Sequence, residues 1–397
     1  MKIEDLALQR SKYKHLTDEE WRWFLQQVEG RERTADKLPT FATIEDWWYP
    51  VRLSCEQCSS ELAAHYKASL ISSDRLSRAN FKFQISNFAD LTGGYGVDTY
   101  FLSEQFAHTD YVEQNEELCR IAAHNFSFLS PQGARLFQKS DIRIHNCTAE
   151  EFLKTAGQYD LIFLDPARRD SHGGKVFRLE DCTPNVVELL PTLLAHGKRL
   201  MIKLSPMLDL TQALKELSVV SLQWSVYVVA IKNEVKEVLL LSQEPKAKSQ
   251  EPTITAIDLA QPDQAFVFTR EEEQNAVISI QTSVFSFLYE PNAAILKAGA
   301  YKLVAKRFGL TKLDLNTHLY CSDTFVENFP GRVWKIKEPT STLPKGKELQ
   351  QANVLCRNYP LTPEQLKKKL HLRDGGTDFV IGCRVAGKPT LFWAERV

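Results

Sequence analysis

The spacing of apolar positions divides the chain into three stretches. Up to about residue 80 the period is helical. Thr17-Asp-Glu-Glu20 reads as a capping box, in which the Thr hydroxyl and the Glu carboxylate each take a backbone N–H of the other's end. Trp21, Phe24, Leu25 and Val28 follow at helical spacing. Leu38-Pro39-Thr40-Phe41 breaks the pattern, and Cys58 to Ile71 resumes it. From 85 to 245, short apolar runs alternate with amphipathic stretches. The runs are Ile85–Leu91, His108–Glu113, Asp141–Asn146, Asp160–Leu164, Arg199–Leu204, Val219–Val229 and Val235–Leu241. Helical stretches separate the first five, and the last two read as an antiparallel pair. Strand–helix repetition predicts a parallel sheet covered on both faces.

Glu244–Pro262 carries Pro245, Pro252 and Pro262 among Ser, Lys and Gln, and reads as a linker or an irregular edge. The remainder mixes short strands and helices, with breaks at Phe329-Pro330-Gly331 and Leu343-Pro344-Lys345-Gly346. The expected division is a helical region over 1–80, a catalytic α/β domain over 81–245, a linker and small α+β piece over 246–325, and a terminal domain over 326–397.

Composition narrows the class. At 397 residues, 43% hydrophobic and 25% charged, the chain reads as a soluble protein of several domains. No apolar run reaches membrane-spanning length, and the start, MKIEDLALQRSKYKH, is charged and polar, so a cytoplasmic location is expected. The eight cysteines are scattered, which fits reduced thiols. Cys55-Glu-Gln-Cys58 is a lone C-x-x-C with no second pair to complete a zinc site, so no metal is expected and two positions in a helix are the plain reading. The net charge is −1, but from Lys297 to the end 18 Lys and Arg face 9 Asp and Glu, a local +9. A basic tail on a neutral protein suggests a polyanion partner, against the alternative of a solvated face.

Chemistry concentrates at the ends of the strand-like runs. Asp90-Leu-Thr92-Gly93-Gly94-Tyr-Gly96-Val-Asp98 follows a strand and opens a helix. Glycines let a backbone turn tightly and approach a ligand, and a helix N-terminus adds free N–H groups. Glu113 closes the next run, where an acidic side chain binds ribose hydroxyls. Asp90 stands where a carboxylate meets an amino group. NAD is the competing ligand, but its G-x-G-x-x-G places the glycines at other offsets. The spacing D-x-x-G-G-x-G and the closing hairpin favour S-adenosylmethionine (SAM) as cofactor. Thr148 and Glu150, after the third run, are the candidates for adenine, although relatives of this class often carry Asp at the Thr148 position.

The fourth run ends Asp165-Pro166-Ala167-Arg168-Arg169-Asp170. Open α/β sheets bind ligands at the carboxyl ends of their strands, so Asp165 is placed to orient or deprotonate an acceptor amine or hydroxyl. The motif resembles the D/N-P-P-Y/F turn of amino-group methyltransferases, with Ala167 and Arg168 departing from it. Arg168 and Arg169 suit phosphate, or else pair with Asp170 and Glu180. Lys203 closes the fifth run. Ribose 2′-O-methyltransferases use a Lys-Asp-Lys-Glu set. Asp165, Lys203 and Glu234 or Glu237 offer three members of it, and Lys67 or Lys82 the fourth, against the alternative that Lys203 merely snorkels.

The chain resembles bacterial class I SAM-dependent methyltransferases with a C-terminal THUMP-like domain. The residues that carry the resemblance are Asp90–Asp98, Asp165–Arg169, Tyr289-Glu-Pro-Asn-Ala-Ala-Ile-Leu-Lys-Ala-Gly299, Phe329-Pro-Gly-Arg332 and Glu56–Ala68. The resemblance implies a Rossmann-like sheet of seven strands, an N-terminal helical region bordering the cofactor pocket, and a C-terminal α+β region. That region divides into a ferredoxin-like piece (about 285–325) and a THUMP-like end (about 326–397). RNA, as tRNA or rRNA, is the substrate it implies. Lys367, Lys368 and Lys369 are candidate RNA contacts, and Lys345, Lys347, Arg357 and Arg373 add to the basic tail. Trp334, Tyr359, Phe379, Phe392 and Trp393 read as core rather than as base-stacking platforms. An exocyclic base nitrogen is the leading acceptor. A ribose hydroxyl, a protein, a small molecule, and a SAM-binding module without catalysis are the rivals.

Overall fold

The computed structural model describes residues 6, 9–76, 86–128, 141–168, 178–218, 222–242, 251–280, 285–338 and 349–397, without the side chains of 73–76 and 168. Lys82, Arg169, Asp170, Lys345 and Lys347 lie outside them. The chain forms two units, one of residues 1–222 and 240–246, the other of 223–239 and 247–397.

The first unit opens with α1 (Asp18–Thr34), started by the Thr17–Glu20 capping box that the sequence predicts. A short helix α2 (Arg52–Gln57) and the longer α3 (Glu61–Leu76) follow. Their apolar side chains join a core of Leu38, Phe41, Trp47, Tyr49, Cys55 and Ala64 with Tyr95, Val97, Phe101 and Ile121. The helical region is thereby anchored on the sheet-covering helices. Two hydrogen bonds fasten it further: Trp48 N–H donates to Asn125 Oδ1 at 2.8 Å, and Asn125 Nδ2 returns one to Trp48 O at 2.9 Å.

The Rossmann-like part runs β1 (Asn87–Asp90), α4 (Val97–Ser103), β2 (His108–Val112), α5 (Glu116–Ser127), β3 (Asp141–His145), α6 (Ala149–Leu153), β4 (Leu161–Leu164), α7 (Val186–His196), β5 (Leu200–Leu204) and α8 (Leu210–Leu217). β1 lies parallel to both β2 and β4, β2 to β3, and β4 to β5. β4 and β5 are buried along their length, as strands covered on both faces must be.

Two strands, β6 (Trp224–Ile231) and β7 (Glu234–Ser242), form the closing hairpin. Its turn residues Lys232 and Asn233 have φ of 52° and 63°, and Asp258 accepts both of their N–H groups. The last residues of β7, Leu240–Ser242, belong to the first unit, where Ser242 Oγ accepts Leu200 N–H at 2.7 Å. The first unit's strand order is therefore β3-β2-β1-β4-β5-β7. In the second unit the order continues β7-β6-β8-β9, with β8 (Thr253–Asp258) parallel to β6 and β9 (Phe266–Thr269) antiparallel to β8. The seven expected strands are all present, and two are added.

β8 corrects the reading of Glu244–Pro262 as a linker or irregular edge. Prolines flank the strand without entering it, and Ile254, Ala256 and Ile257 are buried.

The second unit continues with α9 (Arg270–Asn275) and a seven-stranded sheet. Its elements are β10 (Phe287–Pro291), α10 (Ala293–Ala298), α11 (Leu303–Phe308), β11 (Thr311–Asp314), β12 (Thr317–Ser322), β13 (Gly331–Glu338), β14 (Asn353–Arg357), α12 (Pro363–Leu370), β15 (Asp378–Val385) and β16 (Lys388–Arg396). The order is β11-β12-β10-β13-β16-β15-β14. Trp334 and Phe392 lie in its core, and Tyr359 and Trp393 pack against a second cluster, in line with the core reading of these aromatics. Among the described residues no helix is long and apolar enough to cross a membrane, and no disulfide joins any of the eight cysteines.

Candidate functional site

The site forms where β1, β2, β4 and β5 end. Asp90, at 1% exposure, closes β1. Its Oδ1 accepts the Thr92 N–H at 3.0 Å and its Oδ2 the Thr99 hydroxyl at 2.6 Å. Burial pushes the Asp90 carboxyl up to about 7 despite those donors.

The glycine turn is built by close approach. A Cβ on Gly93 would stand 2.1 Å from the Tyr111 ring, and Tyr111 donates its hydroxyl to Gly94 O at 2.6 Å. Gly96 has φ of 84° and caps the start of α4. Tyr111 is thus the support on which the turn rests, a role the sequence did not signal because the residue reads as one more apolar strand position. Glu113 lies beside the turn: its Oε2 accepts Gly94 N–H at 2.9 Å and its Oε1 accepts Asn115 N–H at 2.8 Å. Asn146, after β3, holds the same tip by donating to Glu113 O at 3.0 Å.

Thr148 is the N-cap of α6, its hydroxyl accepting Glu151 N–H at 3.2 Å, and Glu150 is exposed in the helix's first turn. The capping bond occupies part of Thr148's hydrogen-bonding capacity and fixes its hydroxyl at the helix start.

Asp165 and Pro166 leave β4 directly beside the β1 tip. Leu91 N–H donates to Phe163 O at 3.0 Å, and Asp165 N–H donates to Thr92 Oγ1 at 2.6 Å. Pro166 is buried, whereas the Asp165 side chain is 37% exposed. Ala167–Arg168 pairs briefly with Cys182–Thr183, antiparallel. Glu180, the alternative partner of the arginine pair, forms an ion pair with Arg178 at 2.6 Å.

Lys203 Nζ reaches Asp165 Oδ2 in a direct ion pair and lies 3.7 Å from Asp98 Oδ2. Snorkelling is thereby overturned for this lysine: its side chain is only 11% exposed and points to a carboxylate inside the pocket. Asp98 also faces Lys67 Nζ, 3.1 Å from its Oδ1, and accepts the Ser59 hydroxyl at 2.7 Å. Burial by itself would push the Asp98 carboxyl up, but the Lys67 and Lys203 ammonium groups outweigh it and hold it below the ordinary carboxylate range. Lys67, one of the lysines weighed for the fourth place, reaches the site from α3. Asp98 was visible only as the end of the glycine motif.

Cys55 and Cys58 donate to Pro50 O and Cys55 O, and burial pushes the Cys55 thiol up to about 12. Glu237 is buried in the second unit, and Glu234 pairs with Lys236. Lys367 forms an ion pair with Asp374 at 2.5 Å, while Lys368 and Lys369 are exposed at the end of α12.

The strand order and a pocket framed by a glycine turn, an acidic β2 tip and an Asp-Pro β4 tip define the Rossmann-like, class I methyltransferase fold. Residues 287–330 match a ferredoxin-like domain family, and residues 331–396 a THUMP domain-like family. The whole chain is similar to a candidate methyltransferase from Porphyromonas gingivalis W83 of known crystal structure, at 32% identity and a TM-score of 0.81, covering 96% of this chain and 92% of that one. The chain belongs to that family, and in it a class I methyltransferase fold is followed by ferredoxin-like and THUMP-like domains. More distant structures include a candidate methyltransferase from Streptococcus mutans in complex with SAH (14% identity, TM-score 0.31, covering 45% of this chain and 98% of that one). Another is magnesium protoporphyrin IX methyltransferase from Synechocystis PCC 6803 with bound SAM (11% identity, TM-score 0.35, covering 58% and 98%). No curated protein matches the sequence.

Proposed function

We propose that the chain transfers a methyl group from SAM to RNA, at an exocyclic base nitrogen. The observation that carries the reading is the hydrogen bond from Asp165 N–H to Thr92 Oγ1, 2.6 Å, which sets the cofactor turn and the Asp-Pro tip in one pocket.

The residues fit SAM. The buried Asp90 carboxyl, raised to about 7, is a site that a cationic amino group would relieve. Gly93 and Gly96 let the turn pack closely on Tyr111 and Phe126, and Gly94 leaves its outer face free of a side chain where a ligand packs. Glu113 keeps acceptor capacity on both oxygens for ribose hydroxyls. Thr148 and Glu150 stand on the adenine side. When bound, SAM supplies a methyl group already activated on a sulfonium, so the protein's part is orientation more than acid–base power. Asp165 would accept a hydrogen bond from the acceptor amine and take its proton, while Lys203 holds the carboxylate in place and Pro166 stiffens the turn. Arg168 and Arg169, with Lys367, Lys368 and Lys369, are the proposed RNA contacts, supported by the +9 charge of the terminal stretch.

The Lys203–Asp165 ion pair favours a second reading, ribose 2′-O-methylation with Asp165 and Lys203 at the acceptor hydroxyl. One experiment separates these. Nucleosides of total RNA from a deletion strain and its parent are compared by mass spectrometry, and the purified protein is then given SAM and RNA from the deletion strain. Loss and restoration of an N-methylated base supports the first reading, and of a 2′-O-methylated nucleoside the second. If a protein or small-molecule methylation disappears instead, RNA is not the substrate. Asp165→Ala is expected to lower turnover by about a hundredfold or more while leaving SAM affinity intact by calorimetry. Loss of turnover with SAM affinity kept excludes a SAM-binding module without catalysis, and unchanged turnover removes Asp165 from the reaction.

A further inference from the structure

Asp98 stands on the first turn of α4 with its side chain 10% exposed. Oδ1 meets Lys67 from α3 at 3.1 Å, and Oδ2 meets Lys203 from β5 at 3.7 Å. Ser59 Oγ donates to Oδ2 at 2.7 Å and accepts from Lys67 Nζ at 3.2 Å. Lys203 in turn clasps Asp165. Lys67, Asp98, Lys203 and Asp165 thus form a row of alternating charge. Side-chain exposure rises along it from 0% at Lys67 through 10% and 11% to 37% at Asp165. Only Asp165, the last member, is substantially exposed.

A buried ion row is costly, because each charge gives up its hydration, and apolar side chains of similar volume are often as stable. One carboxylate would suffice to balance Lys67, with no need to reach Lys203. The row does more: it fixes the end of a flexible four-carbon side chain from its inner side. We propose that Asp98 is a positioning residue for methyl transfer, anchoring Lys203 so that the Asp165 carboxylate presents one fixed face to the acceptor. This rests on the reading of the pocket as a methyl-transfer site.

The rival is that Asp98 only neutralises Lys67. Two variants separate the roles. Asp98→Asn leaves the Lys67 charge buried and unpaired and is expected to lower the melting temperature. Lys67→Met combined with Asp98→Asn removes both charges and is expected to recover the melting temperature toward wild type. Both proteins are assayed for SAM binding by calorimetry and for methyl transfer to RNA from the deletion strain. Under the proposal, kcat stays on the order of tenfold to a hundredfold down in both, the scale of a misplaced reacting group, while KM for RNA and SAM affinity hold. Recovery of kcat together with stability would overturn it, as would wild-type kcat in Asp98→Asn.

If wild-type protein transfers no methyl group to that RNA, it is the function proposed above that fails. The positioning role is then read by ¹H–¹⁵N spectroscopy of lysine ammonium groups. A slowly exchanging Lys203 signal that disappears in Lys67→Met/Asp98→Asn supports the anchoring, and one that persists unchanged overturns it.

Discussion

The Asp90 carboxyl keeps two donors, Thr92 N–H and the Thr99 hydroxyl, and still has its pKa pushed up to about 7 by burial. An unfolded Asp releases its proton near pH 4. Between about 4 and 7 the folded chain therefore binds a proton that the unfolded chain has lost, so this group's contribution to stability falls as pH rises through that window. A cationic amino group beside it would drive the proton off. Calorimetry at pH 6.5 in two buffers of different ionisation enthalpy should then show release of roughly half a proton or more per SAM bound, absent in Asp90→Asn. Equal heats in the two buffers would place the ammonium elsewhere. Gly93 is tested by its missing side chain. Gly93→Ala puts a methyl 2.1 Å from the Tyr111 ring, and the turn must move. SAM affinity is expected to fall about tenfold or more, near 1.4 kcal/mol, with a lower melting temperature. Unchanged affinity would mean the turn does not touch the ligand. The sequence made Asp90, the glycines, Glu113 and Asp165 legible because each ends a readable strand. The support from Tyr111 and the pairing of Lys67 with Asp98 stayed hidden. An ion pair between distant positions leaves no local pattern, and a tyrosine under a turn looks like any buried strand residue.

At the scale of elements, the apolar period located β1 to β7 because strand–helix alternation is local and repetitive. β8 escaped because Pro245, Pro252 and Pro262 around it carry a louder signal than its short alternation. The N-terminal helices were readable as helices, but not their anchorage, which depends on single hydrogen bonds such as those between Trp48 and Asn125. Asn125→Ala removes both bonds and is expected to cost about 1–3 kcal/mol, seen as a lower melting temperature. Since α3 brings Lys67 and Ser59 to the pocket floor, SAM affinity should weaken as well. A variant with wild-type melting would show that aromatic packing alone fastens the helical region.

For the whole molecule, charge is the quantity that matters. The net value of −1 hides the +9 of the last hundred or so residues, and Lys368 and Lys369 are exposed there while Lys367 is tied to Asp374. Replacing Lys368 and Lys369 by Ala should weaken binding to RNA at every sequence and flatten the dependence of log Kd on log salt by about 1.5 to 2. A slope equal to wild type would remove α12 from the RNA-facing surface. The path of the backbone adds a constraint of another kind. It leaves the first unit after Leu222, returns at Leu240 within β7, and leaves again after Lys246. No single recombination breakpoint can exchange one unit for a foreign one and keep both intact. A single nick by a protease would release neither unit whole.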